Sequence, residues 1–338
     1  MTSLPISPIL PNPPNSSVPS APLTRTDDER GVATLTLNRP ERCNALSFEL
    51  LRRLLDELRQ IAADDSTRLV VLRGAGRHFC AGLDLDEATN GAPIPLETLR
   101  DAELDLDDFR VRVSETAEKS NDARLFVSEA NFRDAAPFDL AAQPFAPSSN
   151  ADFPPTLPRF QVAPRLVLEL LRQIRLTPKP VVAAVRGAAC GGGAGLVSVC
   201  DFVVADSTFR AVFTETKRGL SPSLLFPFLR RKLPLAALQE FVLTAAPFDA
   251  PRAVDAGLVQ TLVDPGDFDA IVAAAVDRFL ANEPRSLATA KRLFNAALLP
   301  TDAEIRAGWL EHCRSWASDA GREGIAAFLE KRSPNWTR

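Results

Sequence analysis

Three consecutive glycines, Gly191, Gly192 and Gly193, head an apolar run from Cys190 to Cys200 that reads as a helix. Glycine weakens a helix by about 1 kcal/mol per residue relative to alanine, so a triplet at a helix start implies close approach to the backbone. The first helical turn leaves amide N–H groups unpaired and carries positive partial charge. It can therefore hold an oxygen that becomes negative during a reaction. An oxyanion hole needs two converging donors, and Arg77-His78-Phe79-Cys80-Ala81-Gly82-Leu83-Asp84 offers the second. Gly82 permits a sharp turn there with the Leu83 amide exposed behind it.

Two donors far apart in the chain need a rigid frame. The apolar strand Pro180 to Val185 leads to the glycine helix, and another, Leu69 to Leu72, leads to the Gly82 turn. Val32 to Leu37 alternates as a strand and stops at Arg39-Pro40. Ser47 then caps a helix whose Phe48, Leu51, Leu54, Leu55, Leu58 and Ile61 share one face. Strand, helix, strand in this order implies parallel pairing through a right-handed crossover. Asp84 reads as the cap of a turn from Leu85 to Ala88, and Asp201 to Ala205 as a further strand. Helix is predicted from Pro164 to Ile174. The C-terminal third reads as helices at Asp269 to Phe279, Leu287 to Leu298, Glu311 to Trp316 and Glu323 to Lys331, with Pro284 separating the first two.

A formal net charge of −4 gives no electrostatic reason to expect nucleic acid or an anionic membrane as partner. No apolar run is long enough to cross a bilayer. The five cysteines, Cys43, Cys80, Cys190, Cys200 and Cys313, have neither metal-ligand spacing nor a disulfide framework, which suits buried thiols in a reducing, cytoplasmic setting. No metal site and no dinucleotide fingerprint is indicated. His78 beside Phe79 reads as a packed side chain, and Trp309, Trp316 and Trp336 as core or interface anchors. Residues 1–24, rich in Pro and Ser, read as a disordered tail, with a processed leader as the other reading.

LNRPERCNALS at 37–47, HFCAGLDL at 78–85, PKPVVAAVRGAACGGGAGL at 178–196, FTETKRGLSP at 213–222, AGLV at 256–259 and EGIAAFLEKRSPNW at 323–336 follow one another in a familiar order. In them the chain resembles the crotonase family of enoyl-CoA hydratases and isomerases. The resemblance implies an α/β fold, a spiral of repeated ββα units over 25–250. It also implies a helical C-terminal cap over 251–338 that assembles homotrimers or homohexamers. The implied oxyanion donors are the N–H groups of Leu83 and Gly192, and Glu215 matches the second of the family's two catalytic glutamates. The first would fall at Gly195 and is missing. Syn hydration is best served by two carboxylates, whereas a double-bond shift needs one base that removes and returns a proton while an enolate is stabilised. The pattern therefore implies an acyl-CoA enzyme using one glutamate, an enoyl-CoA isomerase or a hydratase. A thioester hydrolase, a decarboxylase and a non-catalytic acyl-CoA-binding protein are the alternatives. No separate cofactor is implied, because coenzyme A arrives as part of the substrate. The resemblance puts Arg42, Ala81, Gly82, Asp84 and a neighbouring subunit's Lys331 along the CoA moiety, and His312 near its adenine. Arg42 and Lys331 read equally as solvated surface cations, and Glu215 as an ion-pair partner of Lys217 or Arg218.

The stretch at about 88–160 departs from the family. It holds an acidic piece, LETLRDAELDLDDF, and a Pro-, Ala- and Phe-rich piece, DAAPFDLAAQPFAPSSNADFPPTLP. It reads as an insertion that is either a lid on the acyl pocket or a surface excursion.

Overall fold

The computed structural model describes residues 21–95, 156–157 and 159–337, so most of the expected tail and of the insertion lies outside the described residues. Strand β1 (Leu23–Asp27) is followed by β2 (Val32–Leu37), α1 (Phe48–Ala63), β3 (Leu69–Gly74) and α2 (Leu85–Asn90). The short strands β4 (Ile94–Pro95) and β5 (Thr156–Leu157) pair antiparallel, so the insertion leaves and rejoins the fold at one place. Then come α3 (Arg159–Leu176), β6 (Val181–Val185), β7 (Ala188–Cys190), α4 (Gly192–Val199), β8 (Phe202–Asp206) and β9 (Arg210–Val212). A 3-10 turn at Thr216–Arg218 precedes α5 (Phe226–Lys232), α6 (Leu235–Thr244), β10 (Phe248–Asp249), α7 (Ala250–Asp255) and β11 (Thr261–Val263). The chain closes with α8 (Phe268–Leu280), α9 (Pro284–Leu298), α10 (Asp302–Ala317) and α11 (Asp319–Leu329).

The main sheet runs β1-β2-β3-β6-β8-β11, with all pairs parallel except the β1–β2 edge. A smaller sheet, β10-β9-β7, receives the second strand of successive repeats. Parallel strands covered on both faces read as unbroken apolar runs. Val70 and Leu72 of β3 point into the main core with Leu51, Leu55 and Leu166, while Leu69 and Val71 point the other way against Phe268, Val272 and Val276 of α8. The period-two alternation of strand side chains thus lets one strand serve two helical layers.

Several boundaries differ from those read in the sequence. Leu23, expected in the tail, opens β1, because its buried side chain and five registered pairs with β2 hold the edge. Helix α3 starts at Arg159, before Pro164; the ring removes one hydrogen bond near the helix start, and burial of Val162, Ala163 and Leu166 outweighs that loss. Pro284 is the first residue of α9 rather than a spacer, a position where a missing N–H costs little. Helix α10 begins nine residues before Glu311, at Asp302, set by a Thr301–Glu304 capping box. Trp309 and Trp316 are buried, as expected for anchors, whereas Trp336 is exposed.

The C-terminal helices are tied to the core by charge as well as by apolar packing. Lys291 of α9 is buried and donates to Asp201 at 2.6 Å, Ile174 O at 2.9 Å and Lys179 O at 3.0 Å. Among the described residues, no helix is long and apolar enough to cross a membrane.

Candidate active site

The loop before α2 is held from several sides. Asn44, fully buried with φ 55, donates from Nδ2 to Ala75 O and His78 O and accepts from Arg39 N–H. Asparagine tolerates this left-handed backbone better than most residues. Asp84 is buried and caps α2 by accepting from Glu87 N–H, while its carboxylate pairs with Arg39 at 3.0 Å and Arg42 at 3.2 Å. The loop is also laced to the smaller sheet, where Phe79 and Cys80 N–H both donate to Ala188 O and Cys190 N–H donates to Cys80 O.

Onto this loop the glycine helix is seated directly. A Cβ at Gly193 would lie 2.3 Å from Cys80 O, so no side chain fits between helix and loop. Gly191, with φ 47 and ψ −118, turns β7 into α4 through a conformation that only glycine adopts readily. Gly82, φ 91, makes the matching turn on the other side. A Cβ at Gly82 would lie 3.2 Å from Gly192 N, and one at Gly192 would lie 3.7 Å from Leu83 N. The two predicted donors therefore stand side by side. Among the described residues, no acceptor takes the N–H of Leu83 or of Gly192, whereas the N–H of Ala81 is taken by Cys43 O and that of Gly82 by Cys80 Sγ.

Glu215 opens the 3-10 turn after β9, and a Cβ at neighbouring Gly191 would lie 3.2 Å from its Oε1. Part of the residue is open to solvent, but Oε2 is buried and makes no hydrogen bond. Burial pushes its pKa up to about 7, with its own backbone amide and the Arg218 cation acting in the opposite sense. A carboxyl poised there is half ionised at neutral pH and basic enough to take a weakly acidic proton. The place a second carboxylate would need is filled, since a Cβ at Gly195 would meet Leu225 Cδ2 at 2.6 Å and Leu225 is buried.

A family model described as enoyl-CoA hydratase/isomerase matches residues 27–109 and 159–338. The chain belongs to the enoyl-CoA hydratase/isomerase family. A relative from Thermus thermophilus bearing an enoyl-CoA hydratase name is 30% identical over 311 residues, 91% of this chain and 98% of its own. The 1,2-epoxyphenylacetyl-CoA isomerase of Escherichia coli is 29% identical over 314 residues, 91% of this chain and 96% of its own. The crystal structure of an enoyl-CoA hydratase from Mycobacterium avium superposes with a TM-score of 0.66 at 30% identity, covering 94% of this chain and 99% of that one. The protein is thus an enzyme of a lyase and isomerase family with the crotonase fold.

Within that fold the predicted residues separate into groups. Leu83, Gly192 and Glu215 come together, with Ala81 and Gly82 on the adjoining loop. Arg42, half-exposed, is engaged by Asp84 and by Asp86 at 3.3 Å. Lys331 is exposed just beyond α11, in a left-handed conformation. His312, placed by resemblance near the adenine, is instead buried in α10 with its ring 5.6 Å from that of Trp316. The apolar period of α10 turns it inward. Reading the sequence missed Asn44, which is signalled only by its place in LNRPERCNALS, and named Arg218 only as an ion-pair partner of Glu215, a pair that does not form among the described residues.

Proposed function

We propose that the enzyme moves a proton on an acyl-CoA thioester, shifting a double bond between the 3,4 and 2,3 positions of an enoyl chain. The observation that carries this reading is the lone Glu215 carboxyl, buried at Oε2 beside two free N–H groups, with Leu225 occupying the place beside Gly195. The thioester carbonyl oxygen accepts from Leu83 and Gly192 N–H. Ionised Glu215 removes a proton from C2, the C2 electron pair moves into the carbonyl as a dienolate, and the two donors hold the negative oxygen. Glu215 then returns the proton to C4 and is ionised again. Each donor of this kind is typically worth about 3 kcal/mol in the transition state.

The coenzyme A moiety lies, in this reading, along Ala81 and Gly82, with Arg42 exchanging Asp86 for a CoA phosphate, Asp84 ordering the loop and Lys331 reaching in from a neighbouring subunit. Homotrimers or homohexamers are supported by the exposed Leu293 and Phe294 on α9. The free cysteines among the described residues suit a cytoplasmic setting. Hydration with Glu215 alone is the second reading, favoured by relatives such as the 2,3-dehydroadipyl-CoA hydratase of Escherichia coli, 27% identical.

Glu215→Gln tests both. With 3-enoyl-CoA and 2-enoyl-CoA in deuterated water, we expect wild type to shift the double bond and exchange α-protons, and the variant to lose about 10²- to 10⁴-fold of both while still binding substrate. Water addition outpacing the double-bond shift in wild type selects the hydratase reading. Undiminished turnover in the variant removes Glu215 from the mechanism.

A further inference from the structure

Arg218 is a charged neighbour of Glu215 that the proton-transfer scheme leaves unused. The 3-10 turn sets residues three apart on one side, and Arg218 N–H donates to Glu215 O at 2.9 Å. The guanidinium carbon lies 4.1 Å from the centre of the Phe328 ring of α11, and Nε is buried without a hydrogen bond. Among the described residues no carboxylate forms an ion pair with it. Helix α11 also fixes the backbone beneath: a Cβ at Gly324 would lie 2.2 Å from Arg218 O and 2.8 Å from its Cα. The turn and its arginine are therefore held by one helix.

The other ionisable groups nearby do not replace this cation. The Cys190 thiol at the end of β7 is pushed by burial up to about 11 and is neutral. On α11, Glu323 is engaged by Arg332 at 2.6 and 2.8 Å, and on the turn itself Lys217 is exposed.

We propose that Arg218 is a positioning residue for the reaction: held against Phe328, it supplies positive charge that favours the ionised form of Glu215 without a direct ion pair that would occupy the carboxylate. The inference rests on Glu215 as the proton carrier. Burial alone drives a carboxyl toward its neutral form, and a direct guanidinium pair would tie up both oxygens and weaken the base. A cation held off the carboxylate does neither.

The test is a carbon-13 NMR titration of the full-length protein labelled at its glutamate carboxyls, with Glu215→Gln identifying the resonance. The Glu215 midpoint should rise by about one pH unit in Arg218→Gln and return toward wild type in Arg218→Lys, and the acid limb of α-proton exchange should move with it. Coincident midpoints in wild type and Arg218→Gln overturn the proposal, as does an Arg218→Lys midpoint displaced as far as that of Arg218→Gln. Should Arg218→Gln fail to fold, Phe328→Leu takes its place, since it loosens the arginine and keeps the charge: a raised midpoint supports the proposal and an unmoved one overturns it. Failure of the underlying reading looks different, because α-proton exchange persisting in Glu215→Gln removes the base whatever the arginine variants do to the titration.

Discussion

A Cβ at Gly195 would stand 2.6 Å from Leu225 Cδ2, and Leu225 is buried. A glutamate at 195 would have to displace Leu225 and then sit, charged, among apolar neighbours, which typically costs about 1–3 kcal/mol for overpacking before the charge is considered. Gly195→Glu alone should therefore lower the melting temperature and reduce turnover. Combining it with Leu225→Ala should recover stability and raise hydration relative to double-bond migration, read as the ratio of hydroxyacyl to isomerised product. An unchanged ratio in the folded double variant would show that the count of carboxylates does not set the reaction. The missing glutamate was legible in the sequence, because GGGAG stands where the resemblance places it. Its replacement by Leu225 was not, because thirty residues separate the two and only the packing of α5 against α4 brings them together.

At the scale of elements, the site depends on α4 lying flush on the Gly82 loop. Gly193→Ala would put its Cβ 2.3 Å from Cys80 O and 2.8 Å from Cys80 Cβ, neither of which can swing aside. We expect a loss of about 1–3 kcal/mol in stability, from chemical denaturation, with activity falling at the same time because the two donors are pried apart. Gly266→Ala, where nothing lies within 4 Å, is the control and should change stability by less than about 0.5 kcal/mol. The helix itself was visible in the glycine triplet and the apolar run behind it. What seats it was not, because the contact is between backbones and leaves no mark in side-chain periodicity.

For the molecule as a whole, stability toward acid carries the signature of a buried histidine. His312 has neither ring nitrogen hydrogen-bonded, and burial lowers its pKa from 6.5 to about 4. The folded state therefore resists protonation more than the unfolded state does. The stability lost to this residue is nil above pH 6.5, grows as pH falls, and levels off near pH 4 at about 3 kcal/mol, from 1.36 kcal/mol per unit. His312→Leu removes the titration, so between pH 8 and pH 5 its stability should gain about 2 kcal/mol on wild type, measured as the difference of two urea unfolding curves. A pH-independent difference would mean that His312 titrates normally in the folded protein.

The sequence alone determined the repeating strand and helix order, the turns at Gly82 and Gly191, the place of Glu215 in its motif and the family, because these rest on local periodicity and on motifs contiguous in the chain. Only the tertiary structure decided that Leu83 and Gly192 N–H stand adjacent, that Glu215 Oε2 is buried, that Leu225 fills the space beside Gly195 and that α11 stacks Phe328 on Arg218. These facts depend on which distant segments share one layer, and that is fixed by burying the whole sheet between its two helical faces rather than by any single stretch of chain.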